Sequence, residues 1–241
     1  VADILWNSRE VLARRAGETI ELQRVCDLRD FPAAPYADRM TKDAEQIYAA
    51  DDIDIVVECM GGKGAAYRFV KAALERGKHV VTSNKELIAD CGEELERIAR
   101  EKGVCLRYEA SCGGGIPAIE EDLAATRITR VAGILNGTTN YILTRMREGG
   151  VSFDAALKEA QQKGYAEADP SADVLGWDAR RKICILADLC FGKNVSPSSI
   201  TTEGITHITP ADIECARLLG YKIKLLGRAM RTGPNAVSAF V

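Results

Sequence analysis

Residues 53–60, IDIVVECM, form a nearly continuous apolar run that ends on the pair Gly61-Gly62. A run of this length, without alternation of polar residues, reads as a strand buried in a parallel sheet. Such a strand needs helices packed over it, and the neighbouring segments supply them in rotation: helix AAYRFVKAALERG, strand KHVVTS, helix GEELERIAREKG, strand VCLRYE. Upstream, ILWNSREVLARRA has apolar residues at helical spacing and stops at Gly17, IELQRVCD reads as a strand, and DAEQIYAA as a short helix. Between those last two, Leu28 to Met40 with Pro32 and Pro35 reads as loop. Strands alternating with helices of about 10–15 residues imply βαβ units, hence an α/β fold with a doubly wound parallel sheet.

The rhythm changes after Glu109. SCGGGIPAIEEDL is a glycine-rich turn into a helix, and Pro117 suits a first helical turn. Strand RITRVAGILNG follows, then helices near 139–148 and 153–163, the loop GYAEADPSADVLGW, helix DARRKICILADLCFG, a helix near 210–219, and strands KIKLLGRAM and NAVSAFV. This second pattern predicts an α+β domain over 111–241, behind a ligand-binding domain over 1–110.

Composition narrows the function classes. Hydrophobic residues make up 46% and charged residues 28% of 241, so the chain can bury a core and is not a disordered segment. A net charge of −3 speaks against nucleic acid or an anionic membrane surface as the main partner. No apolar run reaches the roughly 18 residues of a membrane span, and no secretory leader opens the chain, so the expectation is a soluble cytoplasmic protein acting on small polar molecules. Eight cysteines are scattered without CxxC spacing and read as thiols; with two histidines, a structural zinc site is not expected.

A doubly wound sheet binds ligands at the carboxyl ends of its strands, here the segments starting at Asp27, Gly61, Thr82 and Glu109. Asp27 can accept both ribose hydroxyls of an adenine dinucleotide, or simply cap a turn. It favours NAD by repelling a 2′-phosphate, whereas Arg29 could receive one. Gly61 and Gly62 permit close backbone approach, or form a plain turn. Lys85 in VVTSNKEL can bridge a cofactor and a substrate carbonyl or carboxylate, or be a solvated lysine.

SCGGGIP admits three readings: a crossing between layers, an ion-binding nest, or a nucleophilic thiol at Cys112 activated by the helix that follows. GYAEADPSADVLGWDARRK is the densest constellation, with Glu167, Asp169, Asp173, Asp178 and Lys182. Asp178 and Lys182 lie four apart on one helix face, which is either an ordinary i,i+4 ion pair or a proton-transfer site in which the carboxylate holds the lysine.

The stretches HVVTSNKELIA, YEASCGGGIP, GILNGTTNYILTRM and GYAEADPSADVLGWDARRK together resemble the homoserine dehydrogenase family in type, order and spacing. The resemblance runs over essentially the whole chain. It implies a Rossmann-like first domain, a second catalytic and dimerisation domain, and reversible NAD- or NADP-dependent interconversion of L-aspartate 4-semialdehyde and L-homoserine, feeding threonine, methionine and isoleucine biosynthesis. It assigns Lys182 as the acid/base and Lys85 as a second lysine touching cofactor and substrate. Glu167 and Asp178 would bind the substrate ammonium group, supported by Asp173, Tyr165 and Thr138. Lys85 and Gly164 would contact the dinucleotide, joining Asp27 and Gly61, which their places at strand ends already suggest. Glu109, Cys112, Gly114 and Ile116 match the turn where the family holds a monovalent cation, sodium, largely through backbone oxygens. A homodimer is implied.

Family members open with a strand and a GxGxxG turn, whereas this chain begins inside the helix that follows, and it stops before a C-terminal glycine-rich segment. The expectation is a Rossmann-like sheet with its first strand missing and weak dinucleotide affinity. Two other readings stand beside it: a thiol-acylating semialdehyde dehydrogenase built on Cys112, and a non-catalytic binding module.

Overall fold

A computed structural model describes residues 1–113, 128–192, 195–234 and 236–241. The chain divides into two compact units, Val1–Thr82 with Glu94–Arg107, and Ser83–Glu93 with Tyr108–Val241.

In the first unit the expected opening helix is two helices, α1 (Ala2–Asn7) and α2 (Arg9–Ala16), broken at Ser8 with φ −109° and ψ 13°. Asn7 and Ser8 are residues whose side chains compete with helical hydrogen bonding, and a break falls there. β1 is only Val25–Cys26, shorter than the strand expected from IELQRVCD, and it pairs in parallel with β2 (Met40–Thr41), at the end of the segment read as loop. The remainder of that stretch alternates Glu, Gln and Arg with few apolar side chains, and no partner strand runs beside it among the described residues. α3 (Glu45–Tyr48) is the short helix expected.

β3 (Ile55–Glu58), β4 (His79–Thr82) and β5 (Leu106–Arg107) form a parallel sheet in that order, with Val56 opposite Val80 and Val80 opposite Leu106. α4 (Gly64–Glu75) connects β3 to β4, and it buries Ala66, Val70, Ala73 and Leu74, the i, i+4, i+7, i+8 stripe of a core-facing helix. α5 (Lys85–Lys102) connects β4 to β5 and starts earlier than the sequence indicated, directly at Lys85. One face of the sheet is covered; Ile55, Val57 and Val81 on the other face are exposed.

The second unit takes in Ser83–Glu93, that is the β4–α5 turn and the first half of α5, and continues at α6 (Glu109–Cys112). β6 (Arg130–Gly133) leads into α7 (Gly137–Gly149), and α8 (Phe153–Gln162), α9 (Ser171–Val174), α10 (Trp177–Phe191) and α11 (Pro210–Leu218) follow before β7 (Gly227–Arg231) and β8 (Val237–Phe240). β6, β7 and β8 make an antiparallel sheet, with Gly133 opposite Gly227 and Arg228 opposite Phe240. The strand expected over KIKLLGRAM begins only at Gly227, because β6 ends at Gly133 and offers nothing for Lys222–Leu226 to pair with.

α10 is the central element. Ile183, Cys184, Leu186, Ala187 and Phe191 pack with Ala229 of β7 in one cluster, while Ala179 joins Ile142, Leu143 and Met146 of α7 in another. Gly227 is what lets β7 come so close: a Cβ there would stand 2.6 Å from Leu135 Cδ1 and 3.3 Å from Ile183 Cβ.

Candidate functional site

α10 starts after Gly176, a buried residue at φ 82° that closes the turn after α9 and opens the next helix. Asp178 is in the first turn, where a carboxylate suits the helix dipole, yet it is 2% exposed. A buried carboxylate needs partners, and Asp178 has three. Lys182, one turn further on, brings Nζ to 2.9 Å from Oδ2. Lys85, at the start of α5, donates to Oδ1. Asn136 Nδ2 donates to Oδ2 at 3.0 Å. Burial alone would push the Asp178 carboxyl up, but the hydrogen bonds from Lys85, Lys182 and Asn136 together hold it below the usual value.

Of the two sequence readings of the Asp178–Lys182 spacing, the geometry favours the cluster over the simple surface pair. Lys182 is only 18% exposed at its side chain and also donates to the backbone carbonyl of Leu135 at 2.8 Å. Lys85 arrives from 93 residues earlier in the chain. Two lysines on one buried carboxylate can hold a proton donor beside an anion that does not have to reorganise.

Of the other candidates, Asp173 is tied directly to this centre. Asp173 on α9 accepts from Asn136 Nδ2 at 2.7 Å, so one amide ties both aspartates. Thr138 Oγ1 donates to the Tyr165 carbonyl at 2.7 Å, and the exposed Tyr165 ring meets Tyr141 edge-on with centroids 4.9 Å apart. Glu167 is exposed, in the segment after α8 whose backbone carbonyls at 167 and 168 accept from Gln161 Nε2. Gly164 is exposed at the end of α8, its N–H donating to Gln161 O.

The dinucleotide candidates of the first unit lie at the carboxyl ends of parallel strands. Gly61 follows β3, and a Cβ at Gly61 or Gly62 would meet nothing within 4 Å, so the turn is open to a ligand's backbone approach. Asp27 follows β1 and receives the Arg29 backbone N–H at 2.9 Å and its guanidinium at 3.1 Å from Nε and 2.9 Å from Nη2. These Arg29 hydrogen bonds hold Asp27 down at about 2. The two residues read as rivals for cofactor choice therefore engage one another. An open glycine turn after β3, and a carboxylate and a guanidinium after β1 of the separate two-stranded sheet, are groups of the kind an adenine dinucleotide site uses.

Gly114 and Ile116 of the proposed cation turn lie outside the described residues. Glu109 and Cys112 form α6, and the Glu109 carbonyl accepts the Gly113 N–H at 3.4 Å. Among the described residues no group of three or more His, Cys, Asp or Glu side chains could hold a metal ion.

The thiol reading of Cys112 meets an obstacle in its surroundings. Burial pushes this thiol up to about 11, with the Ser111 hydrogen bond lowering it only in part, so little nucleophilic thiolate is present at neutral pH.

Two residues escaped the sequence reading. Asn136 was visible only as the polar residue between a strand and a helix, the position of an N-cap. Glu58 is 4% exposed at the carboxyl end of β3, where it accepts Thr82 Oγ1 and the Met60 N–H, both at 2.5 Å. A charged residue inside an apolar strand run was the available signal.

Comparison with known proteins finds one family. Residues 8–109 match the model for the homoserine dehydrogenase NAD-binding domain and residues 116–240 the model for homoserine dehydrogenase itself. The chain is 45% identical over 238 residues to a homoserine dehydrogenase of Neisseria gonorrhoeae, covering 96% of this chain and 54% of that protein, and 47% identical over 234 residues to one of Pseudomonas aeruginosa, covering 95% and 54%. The chain thus spans about half the length of the curated relatives it matches. Among solved structures, a homoserine dehydrogenase from Thiobacillus denitrificans superposes with a TM-score of 0.93 at 42% identity, covering all of this chain and 57% of that one. A hyperthermophilic archaeal homoserine dehydrogenase in complex with NADPH superposes at 0.73 with 26% identity, over 98% of this chain and 66% of that one. With a family model matched over more than half its length, parallel βαβ units in the first unit and a lysine–aspartate cluster in the second, the chain belongs to the homoserine dehydrogenase family.

Proposed function

We propose that the protein carrying this chain interconverts L-aspartate 4-semialdehyde and L-homoserine with NAD or NADP, in the supply of threonine, methionine and isoleucine. The observation that carries the reading is the Lys85–Asp178–Lys182 cluster, occurring in a chain of this family. Residues 1–110 serve the dinucleotide and 111–241 the amino acid, with Lys85 acting at the cluster. NAD(P)H, when bound, supplies the hydride that reaches the aldehyde carbon. Lys182 gives the proton from Nζ to the aldehyde oxygen, and in the reverse direction takes it from the homoserine hydroxyl. Its bonds to Asp178 and Leu135 fix Nζ in place, so the transfer starts from an oriented donor.

Lys85 polarises the carbonyl and contacts the cofactor. Glu167, with Asp178, draws in the substrate ammonium group; Asp173, Tyr165 and Thr138 shape that end of the site. Asp27, Gly61 and Gly164 contact the dinucleotide. A monovalent cation, sodium, is proposed at Glu109, Cys112, Gly114 and Ile116, with no step routed through it. A homodimer formed through residues 111–241, and a cytoplasmic location, complete the proposal; no described helix is long and apolar enough to cross a membrane.

The test is homoserine-dependent reduction of NAD+ and NADP+ by the intact protein, followed by absorbance. Turnover that disappears in a folded Lys182→Ala variant supports the reading. No homoserine-dependent turnover in the parent protein would overturn it.

A further inference from the structure

Asn136 occupies the turn between β6 and α7 and is 5% exposed. Its two amide atoms do different work. Oδ1 accepts the Thr139 backbone N–H at 2.9 Å and the Thr139 hydroxyl at 2.9 Å, which is the N-cap of α7. Nδ2 donates to Asp173 Oδ1 at 2.7 Å and to Asp178 Oδ2 at 3.0 Å. A flipped amide would set its oxygen against two carboxylates and its NH2 against the Thr139 N–H, so the network favours this orientation. Both donor hydrogens and both acceptor lone pairs are spent, on a side chain that is itself buried. Asp173 on α9 and Asp178 on α10 are thereby locked to the end of β6 and the start of α7.

We infer that Asn136 is a positioning residue of this site: its amide spaces the Asp173 and Asp178 carboxylates and aims Asp178 at Lys182 and Lys85. The inference rests on the proposed homoserine dehydrogenase reading for its kinetic consequences, but not for its structural ones. Two carboxylates that share one amide are bridged by it, and Asp178 Oδ2 takes both the Asn136 amide and Lys182 Nζ while Oδ1 is left to Lys85. The charged groups facing Asp178 are Lys85 from α5 and Lys182 from α10, with Asp173 from α9 facing it across the amide.

The two halves of the side chain can be separated by substitution. Asn136→Ser and Asn136→Asp both keep an acceptor for the Thr139 N–H, so α7 stays capped. Serine removes the reach to the aspartates without adding charge; aspartate puts a third carboxylate among them. Asn136→Ala loses cap and bridge alike and reports the cost of the cap. In the intact protein, Asn136→Ser is expected to lower kcat/KM for homoserine by about tenfold to a hundredfold, the usual scale for a hydrogen bond to a charged group. The KM for NAD(P)+ should stay unchanged. The acid limb of the pH profile should move to higher pH, and further in Asn136→Asp, because Asp178 loses a donor that favours its ionised form. A purely structural role would change folding without moving that limb.

A second readout needs no turnover. Carboxyl carbon NMR of isotope-labelled aspartate, with Asp178→Asn for assignment, should show Asp178 titrating at higher pH in Asn136→Ser than in the parent. If the parent turns over homoserine while a folded Asn136→Ser matches it in kcat/KM and in the acid limb, the positioning role is overturned. If the parent shows no homoserine turnover, the functional reading falls by itself, and an unchanged Asp178 titration in Asn136→Ser would then overturn the positioning role as well.

Discussion

Lys182 Nζ stands 2.9 Å from Asp178 Oδ2, one turn away on the same helix, with the carboxylate buried and the lysine tied to the Leu135 carbonyl. An ion pair so placed differs from an exposed i,i+4 pair, which contributes only tenths of a kcal/mol, and in the proposed reaction it orients the proton donor. Lys182→Ala should therefore cost kcat about 10²-fold or more, the usual range of general acid–base catalysis, with a near-native circular dichroism spectrum. A variant that folds and turns over like the parent would remove Lys182 from the chemistry.

Glu159 on α8 provides a test of electrostatic stability away from the site. It accepts from Lys163 Nζ at 2.7 Å, Tyr141 OH at 2.7 Å and Arg145 Nε at 2.9 Å, and these bonds lower it from 4.5 to about 2. A carboxyl whose folded value lies below its unfolded value binds protons more readily when unfolded. Its stabilisation is complete above pH 4.5 and is lost as pH falls toward 2. Glu159→Gln should thus be less stable than the parent at neutral pH, and the gap should close in acid. Urea midpoints measured across that window check it; a constant gap would contradict the assignment. Asp178, lowered in the same sense, should add to the acid sensitivity of the parent.

Gly176 sets the start of α10 at φ 82°, and a Cβ there would lie 3.0 Å from Thr202 Cγ2 and 3.4 Å from Val241 Cγ1. Gly176→Ala is expected to destabilise by about 1–3 kcal/mol, the cost of a non-glycine residue in that region plus crowding. Activity should fall too, because Asp178 is two residues on. Thermal unfolding beside turnover measures both, and an unchanged midpoint would show that the turn relaxes freely.

In the proposed dinucleotide site the Asp27–Arg29 ion pair meets the ribose 2′ position. Asp27→Ala should shift the ratio of kcat/KM values toward NADP+, since a repelling carboxylate is gone and the guanidinium is released. Arg29→Ala should shift it toward NAD+. Ratios unmoved by either change would place the discriminating groups elsewhere.

Cys112, held up at about 11 by burial, should alkylate slowly at neutral pH compared with exposed Cys26, Cys105 and Cys215. Peptide mapping after timed iodoacetamide treatment shows the order. Cys112→Ala should keep its turnover; loss of activity with the fold intact would revive a covalent thiol step.

Much of this architecture was legible along the chain. The apolar run 53–60, the helical stripe Ala66–Val70–Ala73–Leu74 and the long helix through Asp178 and Lys182 follow from periodicity, because contacts within one element depend only on residue spacing. The family resemblance of the four quoted stretches likewise needed nothing but sequence. Strand ends were not legible: β1 is two residues long and β7 starts at Gly227, because a strand extends only as far as its neighbour does.

The same limit applies to the site. Residue spacing set Asp178 and Lys182 on one helix face, and no local pattern could say whether that face is wet or buried. Burial of Asp178, the arrival of Lys85 from 93 residues away and the Asn136 bridge to Asp173 were decided by how α5, α7, α9 and α10 pack. Gly227 takes part in that packing by letting Leu135 and Ile183 close over β7. Sequence determined which groups each element carries; only the tertiary structure decided which of them meet, because convergence of distant segments is a property of close packing and of the need to satisfy every buried charge.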